Sequence, residues 1–279
     1  MLFRSVGAII IVMFINGAAI ASFVVPTPSM ENTVMTGDFL FVNKFIYGPS
    51  TPQVIPFFNI PLPFIKTPPL KKPAKNDVIV FIFPGNQNEI EAEEFQYYLK
   101  RCVAVSGDTI VLKDKQLYVN GTHYPLPETG IYDNNTQSNY WDPNPRYPYG
   151  SSFTKDNYGP VVVPSKGDTI SLSADNIQQW FVFIIREGHE VFMQGNTIFI
   201  DNEPKSKYIV ERNYVFGLGD NRDHSLDSRY FGFIPEDNVV GTPIVVYWSW
   251  DTNMSLFNNF IDKLSSIRWS RFFKDRKST

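Results

Sequence analysis

One cysteine and three histidines are all that 279 residues hold of the two residue types that dominate soft-metal binding. Cys102, standing alone, cannot close an internal disulfide, so packing and hydrogen bonds must hold the fold. Without clustered His or Cys ligands no metal centre is expected, and no cofactor is expected either. An excess of basic charge is also missing: 25 Lys and Arg face 28 Asp and Glu, for a net charge of −3. No nucleic-acid partner is expected, since such a partner normally demands a basic face. What the chain has instead is a long apolar start, abundant Phe and Tyr, frequent Pro, and enough length after its start to bury a substantial core.

From Val6 to Val25 the chain is apolar except for Asn16, Ser22 and small residues. That length is close to the ~20 residues a helix needs to cross a ~30 Å hydrocarbon core. Arg4 and the terminal amine are the cations before it, and the next cation is Lys44. The positive-inside rule then puts the N-terminus in the cytoplasm and everything after Val25 outside. Residues 1–25 read as one N-terminal transmembrane helix, a single-pass anchor in a lipid bilayer. Ala19-Ile20-Ala21 also fits the A-x-A pattern of a cleavable signal peptide, whose apolar stretch normally runs ~7–15 residues; both readings export the rest.

Gly37-Asp38 leads into Phe39–Phe45, and Asn76-Asp77 into Val78–Phe83, which Pro84-Gly85 ends. Tyr97–Val105 is a third strand, Gly107-Asp108-Thr109-Ile110 begins a fourth, and Gln116–Val119 runs into the turn signal Asn120-Gly121. Short strands between such signals predict a mainly β protein with an antiparallel, barrel-like core, assigned to residues 26–121 and 212–250. Within it, residues 49–73 interleave prolines with Val54, Ile55, Phe57, Phe58, Ile60, Leu62, Phe64 and Ile65. This segment reads as a hairpin lying on the bilayer with Lys66, Lys71 and Lys72 toward the head groups, or as a lid on the domain's own core.

Residues 122–211 read as a β-rich insert: a long surface loop over Tyr132–Tyr158, then strand-like runs at Val161–Val163, Trp180–Ile185 and Asn196–Asp201. Gly-Asp-Thr-Ile occurs at Gly107 and again at Gly167, as a recurring way into a strand or as the trace of a duplication. The tail, residues 251–279, spaces Phe257, Phe260, Ile261, Leu264, Ile267, Arg271 and Phe272 near the helical period and is basic. It is expected to form an amphipathic helix that rests on anionic lipid or docks on the parent domain.

Chemistry centres on Ser29, in Phe23-Val24-Val25-Pro26-Thr27-Pro28-Ser29-Met30, a few residues beyond the apolar run. A serine hydroxyl attacks only when a base removes its proton. Lys100 lies in an apolar strand among Leu99, Cys102, Val103, Ala104 and Val105, where desolvation can lower its pKa from ~10.4 far enough to yield the neutral amine. His224, beside Asp223 and Asp227, offers a Ser-His-Asp alternative that order and spacing do not exclude. Arg101 projects to the other face of the strand, toward a carboxylate of Asp220–Asp227.

Together Ser29-Met30, Gly37-Asp38, Lys100-Arg101 through Gly107-Asp108, and Gly219-Asp220-Asn221-Arg222-Asp223-His224-Ser225-Leu226-Asp227-Ser228-Arg229 resemble, in order, the boxes of type I signal peptidases. These are Ser/Lys endopeptidases that remove signal peptides from exported proteins. The resemblance implies that Ser29 is the nucleophile, Lys100 the general base, and Ser225 the hydroxyl that orients that lysine. It implies an oxyanion hole made by Thr27 and the Ser29 N–H, although Thr27-Pro28 departs from the commonest Ser-Gly. Phe23, Val25, Met30, Val34, Val80 and Leu99 match positions lining shallow pockets for small substrate residues one and three places before the cut. Arg101, Asp220, Arg222, Asp227 and Arg229 read as a structural charge network. The implied partners are preprotein signal peptides and the bilayer, with no obligate protein partner. The implied location is the bacterial plasma (inner) membrane, with the catalytic domain on its extracytoplasmic side. A related Ser/Lys protease processing a pilin, or an envelope β-domain without catalysis, is the competing reading.

Overall fold

The computed structural model describes residues 19–49, 54–55, 60–61, 66–133, 145–252 and 260–273. One local turn opens strand after strand. At Gly37, Asn76, Gly107 and Gly167 the backbone takes a positive φ, of 86°, 77°, 86° and 93°, which glycine and asparagine tolerate best. The aspartate that follows each one accepts the N–H three residues back: Asp38 from Met35, Asp77 from Ala74, Asp108 from Val105 and Asp168 from Ser165, all at 2.8–3.0 Å. The repeated Gly-Asp-Thr-Ile is therefore a recurring piece of turn chemistry.

The chain is mainly β, as expected. Its largest sheet has seven antiparallel strands in the order β1 (Ile20–Val24), β2 (Asp38–Asn43), β18 (Val239–Ser249), β5 (Val78–Ile82), β6 (Tyr97–Val105), β16 (Tyr214–Leu218) and β17 (Ile234–Pro235). β18 pairs with β2 along one part and β5 along another, with three register shifts between Val239 and Trp248. Bulges bend a strand and increase its twist, and the sheet curls accordingly. The Phe23 ring on β1 meets the Tyr97 ring on β6 edge to face at 4.9 Å, although three strands separate β1 from β6 in the sheet. Met30, Val34, Leu40, Val42, Val78, Val80 and Val246 fill the inside of the curl.

A second sheet, β10 (Tyr158–Val162), β7 (Thr109–Lys113), β8 (Gln116–Val119) and β9 (Thr122–Tyr124), takes strands from both sides of the expected boundary at residue 122. Asn120-Gly121 makes the turn between β8 and β9. Further along, β11 (Thr169–Ser171) pairs with β15 (Lys207–Ile209), and β12 (Val191–Gln194), β13 (Thr197–Ile200) and β14 (Glu203–Pro204) form a small meander. One core joins the two regions, with Val103, Phe216 and Leu218 of the large sheet packed with Ile110, Tyr158, Ile184 and Ile198.

Several expectations need correction. Ile20–Val24, assigned to the transmembrane helix, is strand β1, paired with β2 from Ile20↔Asn43 to Val24↔Phe39; its Ala, Ser, Phe and Val suit a pleated edge as well as a helix. Residues 1–18 of the expected anchor lie outside the described residues. Among the described residues no helix is long and apolar enough to cross a membrane. Trp180–Ile185, read as a strand, belongs to α1 (Ile177–Arg186), which buries Ile177, Phe183 and Ile184. An unbroken apolar run carries neither the period of a helix nor that of a strand, which is why the sequence misleads there.

Of residues 49–73, two short stretches form a ribbon, β3 (Val54–Ile55) with β4 (Ile60–Pro61), and most of the apolar residues around them lie outside the described residues. Lys66 does not face outward: its Nζ donates to the carbonyls of Asp237 and Val239 at 2.8 and 2.6 Å. Lys71 pairs with Asp77 at 3.0 Å. The expected surface loop over Tyr132–Tyr158 buries Arg146, Tyr147, Asp156 and Tyr158 where it is described. The tail is not one continuous helix. Helix α3 (Phe260–Ser265) stops, and a short turn at Trp269–Arg271 brings Arg271 back into the domain because a buried carboxylate, Asp38, awaits it.

Candidate active site

Ser29 sits in a loop whose two ends are stitched together. Val25 N–H donates to Asp38 O and Gly37 N–H donates to Val25 O, both at 2.9 Å, so the segment between them is a closed loop on the rim of the sheet. Inside it Thr27 is extended, and Pro28-Ser29-Met30 make a single 3-10 turn, for which the fixed φ of proline at its first position is suited. The Gly219–Asn221 segment grips this turn. Asn221 N–H donates to Ser29 O at 3.1 Å, Asn221 Nδ2 donates to Pro28 O at 3.2 Å, and Asp220 N–H meets Met30 Sδ at 3.3 Å. Ser29 is buried by this packing. The sequence assigns Asn221 no role of its own, because a grip made by one main-chain N–H and one side-chain amide on distant carbonyls has no local signature.

Lys100 arrives from β6, paired there with Ile79 of β5. Across the other side Gly217 makes room: a Cβ at that position would lie 3.1 Å from Lys100 Cβ. Lys100 Nζ donates to Ser29 Oγ at 2.8 Å and to Leu99 O at 3.1 Å, and stands 5.5 Å from the centre of the Tyr98 ring. With 4% of its surface exposed, the lysine has lost its hydration. Desolvation lowers its pKa from 10.5 to about 8; Asp227 and Asp220 pull the other way, and Arg229 adds a smaller downward push. A buried amine that is half neutral near pH 8 and touches a hydroxyl can take that hydroxyl's proton.

Two salt bridges flank this pair without contacting it. Arg101 makes the expected turn to the far side and holds Asp220 as a fork, Nε to Oδ1 at 2.8 Å and Nη2 to Oδ2 at 2.7 Å. Asp220 also accepts from Thr33 Oγ1. Asp227 caps the short helix α2 (Ser228–Phe231) and binds Arg229 at 2.8 and 2.9 Å, with Gly219 N–H as a further donor at 3.1 Å. Those partners hold the Asp227 carboxyl below its usual range against the opposing effect of burial. Arg222 donates to Gly219 O and to the Tyr132 hydroxyl.

The remaining expected residues divide. Thr27 Oγ1 lies 3.4 Å from Ser29 Oγ on the open side. Ser225 is brought close: a Cβ on Gly219 would meet its Oγ at 2.2 Å and Ser29 O at 2.6 Å, which explains the glycine. The hydrogen bond expected from Ser225 to Lys100 is not made, and Ser225 Oγ is buried with no partner among the described residues. Its backbone, extended at the end of the Arg222–His224 turn, aims the side chain at Gly219. His224 is exposed and faces Asp133 at 3.6 Å, while Ser29 Oγ bonds to Lys100 and Thr27.

Phe23, Val25, Met30, Val80 and Leu99 line a cleft of about 680 Å³ that opens over Ser29 and Lys100. Val34, expected there, lies wholly buried in the core beneath, because the chain has already turned inward after the Ser29 turn. Leu40, Tyr97, Tyr98, Leu226 and His224 join the lining. Tyr97, pressed against Phe23, has its hydroxyl pKa pushed up to about 12 by burial.

Comparison with known proteins agrees with this geometry. The model of the family described as signal peptidase, peptidase S26, matches residues 1–248. A signal peptidase I of Helicobacter pylori is 29% identical over 286 residues, spanning 96% of this chain and 90% of that protein. A signal peptidase I of Buchnera aphidicola from Acyrthosiphon pisum is 31% identical over 250 residues, spanning 83% of this chain and 69% of that one. A crystal structure of a signal peptidase I from Enterococcus faecalis V583 overlays with a TM-score of 0.30 at 22% identity, over 62% of this chain and 97% of that chain, too loosely to bear on the fold. With nearly its whole length matched by the family model, the chain belongs to the signal peptidase family, peptidase S26.

Proposed function

We propose that this chain is a membrane-anchored serine endopeptidase that removes N-terminal signal peptides from exported preproteins, with Ser29 as nucleophile and neutral Lys100 as general base. The observation that carries the reading is the 2.8 Å contact between Ser29 Oγ and a desolvated Lys100 Nζ at the floor of an apolar cleft. The same separation serves either polarity of the bond. With Lys100 neutral, Ser29 O–H donates to it and loses its proton as Oγ attacks the scissile carbonyl. The resulting ammonium then returns that proton to the departing amine. Water, activated by the same lysine, releases the acyl group from Ser29.

The developing oxyanion needs donors. Ser29 N–H, in the opening turn of its short helix, has no carbonyl behind it within that turn, and Thr27 Oγ1 stands beside Ser29 Oγ. Specificity follows from the sheet. Among the described residues β1 is the terminal strand, with an unpaired outer edge that can take an extended peptide. Along such a strand alternate side chains share a face, so the residues one and three places before the cut both point into the wall of Phe23, Val25, Val80 and Leu99. A closed apolar wall rejects large side chains by clash, which selects small ones.

The membrane part of the proposal rests on the apolar residues before β1. With Ile20–Val24 in the sheet and Ala19 O bonded to Lys44 N–H, an anchor would have to lie wholly before Ala19, in the apolar run that begins at Val6. The cleft is thereby kept within a few residues of the outer face of the plasma membrane.

Three experiments test this. Ser29→Ala and Lys100→Ala should each abolish cleavage of a preprotein whose signal peptide ends in Ala-x-Ala while circular dichroism shows a folded domain; loss with His224→Ala and survival with Lys100→Ala would install the triad instead. The pH profile should follow the lysine. Below about pH 8 activity should rise in proportion to hydroxide as Lys100 loses its proton, then level off. The same shift bears on stability. The unfolded chain keeps this proton up to about 10.5 and the folded one only to about 8, so stability rises with pH between those values and the full cost is present below them. Lys100→Met should therefore raise the melting temperature at pH 7, by a free energy of about 3 kcal/mol at most, and a lower melting temperature would show that the lysine is not strained by burial.

The oxyanion assignment has its own test. Thr27→Ser keeps the hydroxyl and should retain substantial activity, whereas Thr27→Val should lower kcat by about 10²–10³ with little change in KM. Equal rates for the two would move the donor elsewhere.

A further inference from the structure

The tail after residue 248 lies beyond the residues matched by the family model, yet it reaches the loop that carries Ser29. Asp38, entirely buried, ends that loop. Its carbonyl accepts from Val25 N–H and its Oδ2 from Met35 N–H, at 2.9 and 2.8 Å, so one residue ties both ends of the loop. Its carboxylate is neutralised from the tail. Arg271 Nε lies 2.9 and 3.1 Å from the two oxygens and Nη2 lies 2.5 Å from Oδ2. Arg268 stands 4.0 Å from Asp38 Oδ1 and donates to Thr36 O at 2.9 Å. Backbone bonds seat this stretch against β18, Arg268 N–H to Ser249 O and Phe273 N–H to Val246 O, at 3.0 and 2.9 Å.

We infer that Arg271 is a positioning residue for the reaction. It neutralises Asp38 so that the loop from Val25 to Asp38 holds its shape and Ser29 Oγ stays within bonding distance of Lys100 Nζ. A buried carboxylate stripped of this fork must gain water or swing outward; either motion pulls on Met35 through Oδ2 and shifts the Asp38 backbone whose carbonyl holds Val25, at the two ends of the loop. The nucleophile is four residues from one of those ends. An arginine is needed rather than any cation, because two oxygens in one plane are met by a planar fork and not by a point charge. The inference rests on Ser29 being the nucleophile, which Ser29→Ala tests separately.

The experiment is preprotein cleavage by the full-length protein in lipid vesicles, with kcat and KM for wild type, Arg271→Ala and Arg271→Lys, each well below its own melting temperature. Arg271→Ala should lose about 10²-fold in kcat, as small misplacements of a reacting atom do, with KM within about twofold of wild type. Arg271→Lys should fall between the two, and added guanidinium ion should restore part of the rate of Arg271→Ala. The acid limb of the pH profile should stay where Lys100 sets it in both variants. A kcat for folded Arg271→Ala equal to wild type overturns the inference, and so does an acid limb that moves. If Arg271→Ala does not fold, Arg271→Lys decides: an unchanged kcat there overturns it. An inactive Ser29→Ala beside a fully active Arg271→Ala would remove this inference alone and leave the proposed function standing.

Discussion

Everything near the cleft depends on keeping one ammonium group out of water. Lys100 is far enough inside the curled sheet that its proton leaves near pH 8 instead of 10.5. A charge so placed is unfavourable by itself, and its surroundings are arranged to limit that cost without cancelling it. Asp220 and Asp227 are close enough to favour the charged form, but each is already committed to an arginine, Arg101 and Arg229. Had either carboxylate been free to pair with Lys100, the amine would stay protonated and could not accept the proton of Ser29. The two bidentate pairs act as insulation as much as scaffold.

The second requirement is geometric: a serine on a loop must hold station against a lysine on a strand. The loop is short, closed at its base by backbone bonds between Val25, Gly37 and Asp38, and gripped at its tip by Asn221. Glycines at 217 and 219 exist to let these pieces approach, one beside Lys100 and one beside Ser225 and Ser29. The aspartates that open β2, β5, β7 and β11 use the same turn, and among the described residues only Asp38 is turned to a second use by the tail. A local solution for starting a strand has become an anchor for the loop that carries Ser29.

Much of this was legible in the residues. Serine after an apolar run, lysine in a strand of Leu, Cys, Val and Ala, and an arginine beside it facing a run of aspartates are readable in the residues, and the structure brings Ser29 to Lys100 and Arg101 to Asp220. Strand-opening Gly-Asp pairs were readable because a positive φ followed by a capping carboxylate demands those residue types. What failed did so for identifiable reasons. Ile20–Val24 and Trp180–Ile185 are apolar without a period, so composition could not choose between helix and strand. Val34 was placed in the cleft and lies beneath it, since hydrophobicity does not say which side of a wall a valine is on. Ser225 was expected to hold Lys100, and its hydroxyl instead rests against Gly219. The bond between Asp38 and Arg271 spans the domain from near one end to near the other, and nothing local in either segment announces it.

The central claim is that burial, far more than any neighbouring charge, turns Lys100 into a base. Observing the lysine directly decides it. With the protein labelled at the lysine ε carbon, and Lys100→Met used to assign the signal, a titration followed by nuclear magnetic resonance should show Lys100 losing its proton near pH 8. A midpoint near 10.5, that of a solvated lysine, would contradict the account, whatever the activity of the variants.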